Sequence, residues 1–374
     1  MRRGWFSGAN DFPGGGAMIP RVAHLHTNPD WGGGENQLLA LALRMHARGI
    51  FTVLATPVDG ELARRARQAG VRVIGLAKGA PARRQLLLDL QEFNLTHLHA
   101  HDSGSTSLGI WLKRRLRVPL VLTRRIASPL RRNPLSRWKY SPRRLDGVIA
   151  ISGTVRDVMV RSGYPAGRIR LAPSGVDVAA LGRIPLEPGF RAPYGTDFLV
   201  GGLGRLAHKK NWMLMVRAAE ILLREPLPIQ WVVAGDGPDR VELEKAIQQA
   251  GLADRFHLLG FRADATHLLR QFDLLCFPSR MEGASVTVRE AMAMGVPVVA
   301  ADAPGVVESL AGHGWIVGSG DPQAMANAVR AALQDSAARR AHAEGARTYA
   351  QTHYDFEHMV EATLAAYASM ESVR

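Results

Sequence analysis

The chain has 374 residues and a mass of 40.7 kDa, enough for two domains of ordinary size, each with its own core. Hydrophobic residues at 47% and charged residues at 21% exclude a disordered acidic chain and a fibrous repeat, and the single cysteine, Cys276, excludes an internal disulfide framework and a multi-cysteine metal site. The net charge of +14 is uneven: residues 1–180 carry 28 Lys and Arg against 11 Asp and Glu, the remainder 19 against 22, so the first half is the one suited to phosphates, anionic lipid or nucleic acid.

Residues 1–17 begin with arginines at 2 and 3 but lack the apolar stretch of a secretion signal, so they read as an extension without fixed structure, with Met18 a candidate natural start. No run of about 18 apolar residues follows, so no bilayer span is expected. The unpaired cysteine suits a reducing, cytoplasmic setting. Strands are expected at 21–26, 51–55, 71–75, 96–99, 119–123, 147–151 and 169–172, alternating with helical stretches such as 35–48, where Leu38, Leu39, Ala42 and Leu43 share a face. Between the first strand and that helix lies Trp31-Gly32-Gly33-Gly34-Glu35, whose glycines let a backbone approach an anion at a helix N-terminus. The third glycine of a dinucleotide fingerprint is missing at its spacing, which disfavours hydride transfer. Residues 124–144 are rich in arginine, hold no acidic residue and include Trp138 and Tyr140.

A Pro- and Gly-rich stretch at 181–195 reads as a linker. A second series of strands is expected at 198–203, 229–234, 256–259, 274–277 and 296–300, each followed by a helix. The fold class is therefore α/β: two doubly wound, Rossmann-like domains facing across a cleft, in which ligands meet the carboxyl ends of the strands. The expected domains are 18–182 and 183–355, with the C-terminal segment 356–374 set apart.

Three strand-to-helix turns of the second series carry chemistry. In the turn that follows the 198–203 strand, Arg205 and Lys210 are close enough to place a guanidinium and an ammonium on one diphosphate. Gly235-Asp236-Gly237-Pro238 suits an architectural turn, with proline at a first helical position. In the third, Gly283 breaks the helical pattern, so Glu282 falls in a loop and Glu290 in the first turns of a helix starting near Ser285 or Thr287. Two carboxylates and a helix N-terminus suit a ligand with hydroxyls at one end and phosphate at the other, such as a sugar nucleotide. The competing reading is a capping box, Thr287-x-x-Glu290, in which the glutamate satisfies a backbone N–H.

Taken together and in order, these segments resemble the family 4 retaining glycosyltransferases of GT-B fold. The likeness runs through Gly32-Gly33-Gly34-Glu35, Leu98-His99-Ala100-His101-Asp102, Asp146 to Ser152, Ser174-Gly175-Val176-Asp177, Gly204 to Lys210 and Pro278 to Glu290. The resemblance implies a catalytic set of His101, Glu282, Arg205 and Lys210. Arg205 and Lys210 would hold the donor diphosphate, Glu290 the ribose hydroxyls, and Glu282 with the backbone after Gly283 the transferred sugar. Gly33 would add an N–H from the opposite domain, and Gly204, Phe261, Ala284 and Ser285 complete the donor set. It also implies that the C-terminal helix crosses back to the first domain, that closure brings Gly33 and His101 against the donor residues, and that the anomeric configuration is retained. No cofactor and no metal are expected, since no strict D-x-D motif occurs and Asp59-Gly60-Glu61 is the nearest approach.

Two departures bear on substrates. Ala284-Ser285 stand where many members have Phe-Gly, and Arg125 stands where many have histidine. The acceptor side is read onto Arg124, Arg125, Arg131, Arg132, Trp138 and Lys139, as a face for a glycolipid or oligosaccharide acceptor or for the anionic inner surface of the cytoplasmic membrane. Two alternatives stand beside a transferase: another sugar-nucleotide enzyme of this fold, such as an epimerase, and a nucleic-acid-binding protein, favoured only by charge and lacking a recognition helix or an RNA-binding motif. Nucleic acid is accordingly not expected as a partner.

Overall fold

The computed structural model describes residues 19–371, apart from Lys78, Arg131, Arg132 and Thr196. The expected extension at 1–17 and Met18 lie outside the described residues, as do two of the proposed acceptor-side cations, Arg131 and Arg132.

The first sheet holds β1 (Arg21–Leu25), β2 (Phe51–Pro57), β3 (Arg72–Leu76), β4 (His97–Ala100), β5 (Leu120–Arg124), β6 (Gly147–Ala150) and β7 (Ile169–Leu171). The second holds β8 (Phe198–Leu203), β9 (Ile229–Ala234), β10 (Phe256–Gly260), β11 (Leu274–Phe277), β12 (Val298–Ala301) and β13 (Trp315–Val317). All pairings within the two sheets are parallel, in the orders β3-β2-β1-β4-β5-β6-β7 and β10-β9-β8-β11-β12-β13. Helices cover both faces, which is why the central strands read as continuous apolar runs. In each sheet the order reverses at one point, between β1 and β4 and between β8 and β11. Crevices for ligands open at the carboxyl ends of strands at such points.

β13 went unforeseen because it has three residues, of which Trp315 and Ile316 are not buried, too few for an apolar pattern to show. The stretch at 181–195 also differs from a plain linker. It contains the helix Pro188–Arg191, and Arg191 binds the Gln271 carbonyl at 2.9 Å and the Asp273 carboxylate at 3.0 Å. The segment is thus tied to the second domain, and the crossing itself lies nearer Val176.

There the chain pairs with its return crossing. Val176 donates its N–H to the Tyr354 carbonyl at 2.7 Å, and Phe356 donates to the Val176 carbonyl at 3.1 Å. The C-terminal helix Phe356–Glu371 then lays Phe356, Met359, Val360, Ala366, Tyr367 and Met370 against Val22, Val121 and Ile149 of the first sheet. Burying such side chains contributes roughly 1.5–3 kcal/mol each relative to leaving them exposed. Gly147 makes room for this helix, since a Cβ there would come within 2.1 Å of the Met370 methyl.

Candidate active site at the facing sheet ends

β8 runs out through Gly204, whose φ of +146° favours glycine. The next strand's turn backs directly on it: a Cβ on Gly235 would lie 1.9 Å from the Gly204 carbonyl oxygen, and one on Gly237 2.2 Å from that of Leu206. The Gly-Asp-Gly turn is therefore a support that holds the Gly204–Leu206 loop by backbone contact. Beyond it Arg205 is exposed, and its carbonyl accepts the Trp212 indole N–H at 3.0 Å. Lys210 turns back so that its Nζ lies 2.6 Å from Glu282 Oε1, and the Ser279 hydroxyl donates to the same oxygen at 2.9 Å.

Ser285, and not Thr287, caps the helix Val286–Met294, its hydroxyl accepting from Val288 N at 3.3 Å. The capping-box reading of Glu290 is thereby corrected: with Ser285 at the cap, the third helical position is Val288, and Glu290 lies deeper in the helix. The half-buried Glu290 carboxyl instead has Thr266 as its hydrogen-bond partner, and loss of solvent pushes it up to about 7 against a small lowering by that bond. Gly305 fits under the loop, where a Cβ would lie 2.4 Å from the Glu282 carbonyl oxygen. Phe261, just past β10, is 79% exposed.

Across the cleft, β1 and β4 carry histidines and run out into His26 and His101. His24 and His99 are register partners, and His24, His26, His97, His99 and His101 are all buried. Arg125 approaches His101 Nδ1 at 3.2 Å and 3.3 Å through its two terminal nitrogens, so that nitrogen accepts. His101 then donates from Nε2 to His24 Nδ1 at 2.9 Å, which leaves the His24 proton on Nε2, a buried atom without a partner. Burial, helped by Arg125, lowers His24 to about 3, and burial with the neighbouring rings and Arg125 holds His99 and His101 well below the usual range. These rings are neutral at physiological pH. His99 binds the Tyr367 hydroxyl of the C-terminal helix at 2.7 Å and the Thr123 hydroxyl at 2.6 Å.

Arg125 is itself lowered to about 10 by burial, opposed by the Glu35 and Asp102 carboxylates. Burial raises Glu35, but its bond to His26 at 2.9 Å and the charges of His26 and Arg125 outweigh that and hold it low. Gly33 opens the helix Gly33–Ala47 with free space where a Cβ would be, and the next residue, Gly34, lies against the Arg125 side chain.

The two halves touch. A Cβ on Gly283 would fall 2.5 Å from the Arg125 carbonyl oxygen, and the Ser152 hydroxyl donates to the Gly283 carbonyl at 2.6 Å. A second tie runs from Glu308, whose carboxylate accepts from Gly153 N at 2.5 Å and from Thr154 N and Oγ1 at 2.9 and 3.0 Å. Glu308→Ala removes this cap on the helix Gly153–Arg161. The variant is expected to show a larger radius of gyration in solution scattering while the two domains stay folded by circular dichroism.

The structure thus gathers Gly34, His101, Arg125, Glu282 and Gly283 at the meeting of the sheet ends, with Gly33, Lys210, Gly204 and Ser285 adjoining through them. Phe261 has no described contact with this group. On the acceptor side, Arg124 turns to the Ser128 carbonyl at 2.9 Å and Lys139 to the Ser103 hydroxyl at 2.8 Å, whereas Trp138 is 46% exposed. Sequence reading missed the histidine network behind His101 and the Glu308 tie. The first had a signal, histidine at alternate positions 24, 26 and 97, 99, 101 of two strands, which places them on one face of the sheet. The second had none, because it joins residues more than 150 positions apart.

An exposed guanidinium, a lysine paired to a carboxylate, a glutamate raised to about 7 and a glycine-flanked loop, all contributed by segments that follow strands of the second sheet, are equipped to hold a phosphorylated, polyhydroxylated ligand. Comparison with known proteins agrees in kind. The profile of the Glycosyltransferase Family 4 domain matches residues 31–180, and that of the group 1 glycosyl transferases matches residues 187–349. The lipopolysaccharide core biosynthesis mannosyltransferase LpcC of Rhizobium leguminosarum bv. viciae is 31% identical, the match covering 73% of this chain and 78% of that protein. LpsB of Rhizobium meliloti, with the same description, is 32% identical over 73% of this chain and 79% of its own. Among solved structures, Anabaena HepE in complex with UDP superposes with a TM-score of 0.83 at 22% identity, covering 93% of this chain and all of that one. A glycosyltransferase from Rickettsia africae superposes with a TM-score of 0.85 at 15% identity over 95% of this chain and 99% of its own. The chain has the GT-B fold and belongs to the family 4 glycosyltransferases, enzymes of glycosyl transfer.

Proposed function

We propose that this enzyme transfers a sugar from a nucleotide-sugar donor to a glycolipid or polysaccharide-precursor acceptor. The observation that carries the reading is the Lys210–Glu282 pair, whose Nζ and Oε1 lie 2.6 Å apart at the point where the second sheet reverses order, with Arg205 exposed on the same loop after β8. The leaving diphosphate gathers negative charge as the glycosidic bond breaks, and Arg205, Lys210 and the amides entering the helix Val286–Met294 stabilise it in place. Glu290 takes the ribose hydroxyls, and Glu282 with the amides after Gly283 takes the transferred sugar. His101 flanks that sugar as a neutral wall, since both its ring nitrogens are engaged. Gly33 contributes an N–H from the opposite domain. The HepE structures contain UDP, UDP with glucose, or UDP-glucose, which supports a nucleotide-sugar donor here. The named activities of LpcC and LpsB support an acceptor in surface-glycan assembly.

We also infer that the reaction proceeds without a metal and with retention. Among the described residues, the His, Cys, Asp and Glu side chains close enough to share an ion are His24, His99 and His101, within 4.8 Å of one another. The Arg125 guanidinium against His101 opposes a further cation there. The diphosphate's charge is met by protein cations instead. Retention is the outcome the family implies, and the anomeric coupling constant of the product by NMR checks it.

Thermal unfolding against UDP, GDP, ADP, CMP and dTDP, with chelator present, tests the donor site. One nucleotide at 100 times its dissociation constant should add about 2.7 kcal/mol of stability. Selective stabilisation that survives chelation is expected. No response to any nucleotide, or a response that vanishes with chelator, contradicts the site as drawn.

A further inference from the structure

The basic stretch after β5 does not present all of its charge outward. Arg124, Arg125 and Lys139 turn to partners within the domain, whereas Arg137 of this stretch and Arg161, at the end of the helix Gly153–Arg161, edge a separate feature. A cavity of about 690 Å³ lies on the flank of the first domain, walled by Ala127, Leu130, Val158 and Tyr140, and edged by Arg137 and Arg161. None of its described lining residues is acidic, and neither arginine has an acidic or hydrogen-bonding side-chain partner among the described residues. On the chain segments that line it, Ile126, Leu135 and Trp138 are 58, 70 and 46% exposed, and Arg144 lies 4.6 Å from the Trp138 ring centre.

The cavity is joined to the active site. Ala127 N would lie 3.5 Å from a Cβ on Gly283, and Ala127, Leu130 and Ala284 pack on the same apolar core. A soluble anion would satisfy the two guanidiniums and leave the apolar wall and the three exposed apolar side chains in water. A phosphate carried on a lipid satisfies both at once: unneutralised cations take the headgroup, and Ile126, Leu135 and Trp138 enter the boundary between headgroups and chains.

We propose that this cavity seats the phosphate headgroup of a membrane lipid, and so holds the mouth of the cleft at an anionic bilayer surface. The proposal rests on the acceptor reading given above for its purpose, but its site and its ligand are separate from the donor residues.

Flotation of the full chain with phosphatidylcholine vesicles, and with vesicles of equal parts phosphatidylcholine and phosphatidylglycerol, tests it. The chain should float with the mixed vesicles and not with the neutral ones. The double variant Arg137→Gln/Arg161→Gln should lower the partition about thirtyfold, as expected for removing two cations from an anionic surface. Arg217→Gln/Arg224→Gln, which removes the same charge from exposed positions on the second domain, should leave it unchanged. Nucleotide-dependent stabilisation of the first double variant at the parent level shows that it is folded. Equal binding to neutral vesicles, undiminished flotation of Arg137→Gln/Arg161→Gln, equal loss in the control pair, or displacement of vesicles by a single-stranded oligonucleotide would each overturn the proposal. Intact, arginine-dependent flotation in a chain that answers no nucleotide supports the headgroup site while removing the donor reading.

Discussion

Lys210→Ala is expected to lower kcat by about 10²–10³-fold, the usual cost of removing one preorganised group that stabilises charge developing in a transition state. The effect should fall on kcat more than on nucleotide binding, because the ammonium gains most from the leaving diphosphate and less from the intact donor. Stability should change little. The ion pair with Glu282 is mostly shielded, with side-chain exposures of 18 and 16%, yet Glu282 keeps the Ser279 hydroxyl when the lysine is gone. Lys210→Arg should recover only part of the rate, since a planar guanidinium does not reproduce a point charge at 2.6 Å from Oε1. A wild-type kcat in Lys210→Ala, measured at saturating donor, would remove the lysine from the chemistry.

Glu290→Gln should move stability and ligand affinity in opposite directions. Burial raises the Glu290 carboxyl from an ordinary 4.5 to about 7, so the folded chain holds this proton more tightly than the unfolded chain does. The stability that comes from holding it is complete below about pH 4.5 and is lost as pH rises through 7. At pH 8 the ionised, half-buried carboxylate costs up to about 3 kcal/mol, taking a pKa unit as 1.36 kcal/mol. The glutamine has no proton to lose, so the ligand-free variant should unfold at higher temperature than the parent at pH 8 and match it at pH 4. Nucleotide affinity should fall about 10–100-fold, the worth of charge-assisted hydrogen bonds to ribose hydroxyls. Calorimetric unfolding at both pH values, with and without nucleotide, separates the two effects. A variant less stable than the parent at pH 8 would show that the carboxylate has a partner that offsets its burial.

Much of the fold was legible because doubly wound sheets write themselves as short apolar runs between amphipathic helices. The strands at 198–203, 229–234 and 274–277 coincide with β8, β9 and β11, where both faces are buried and the apolar run has sharp ends. Legibility failed where local pattern does not decide. β13 is too short to show a period, and the segment 181–195 folds into a helix held by Arg191 on Asp273, a partner 82 positions away. The candidate site divides the same way. Gly204, Lys210 and Glu282 sit at strand-to-helix turns, and Glu290 in the helix that follows one, where local composition announces them. The capping-box reading of Glu290 failed because Thr287-x-x-Glu290 has the right residues two positions too late, with Ser285 already at the cap. Arg125 was visible as a charge on a basic stretch and as an arginine where many members have histidine, but not for what it touches. Its place between His101, Glu35 and Asp102 depends on β1, β4 and β5 lying near one another in the sheet, which no short window of sequence contains.

The proposed activity is movement of a sugar from a nucleotide to another molecule. The most direct measurement is incubation of the purified enzyme with a panel of sugar-labelled nucleotide sugars and a bacterial lipid extract, followed by separation of lipid, aqueous and free-sugar fractions. Label from one donor should enter the lipid or oligosaccharide fraction, with an equal amount of nucleoside diphosphate released, and Lys210→Ala should abolish most of that transfer. Recovery of all label as an epimerised nucleotide sugar, with nothing transferred and no diphosphate released, would contradict the account.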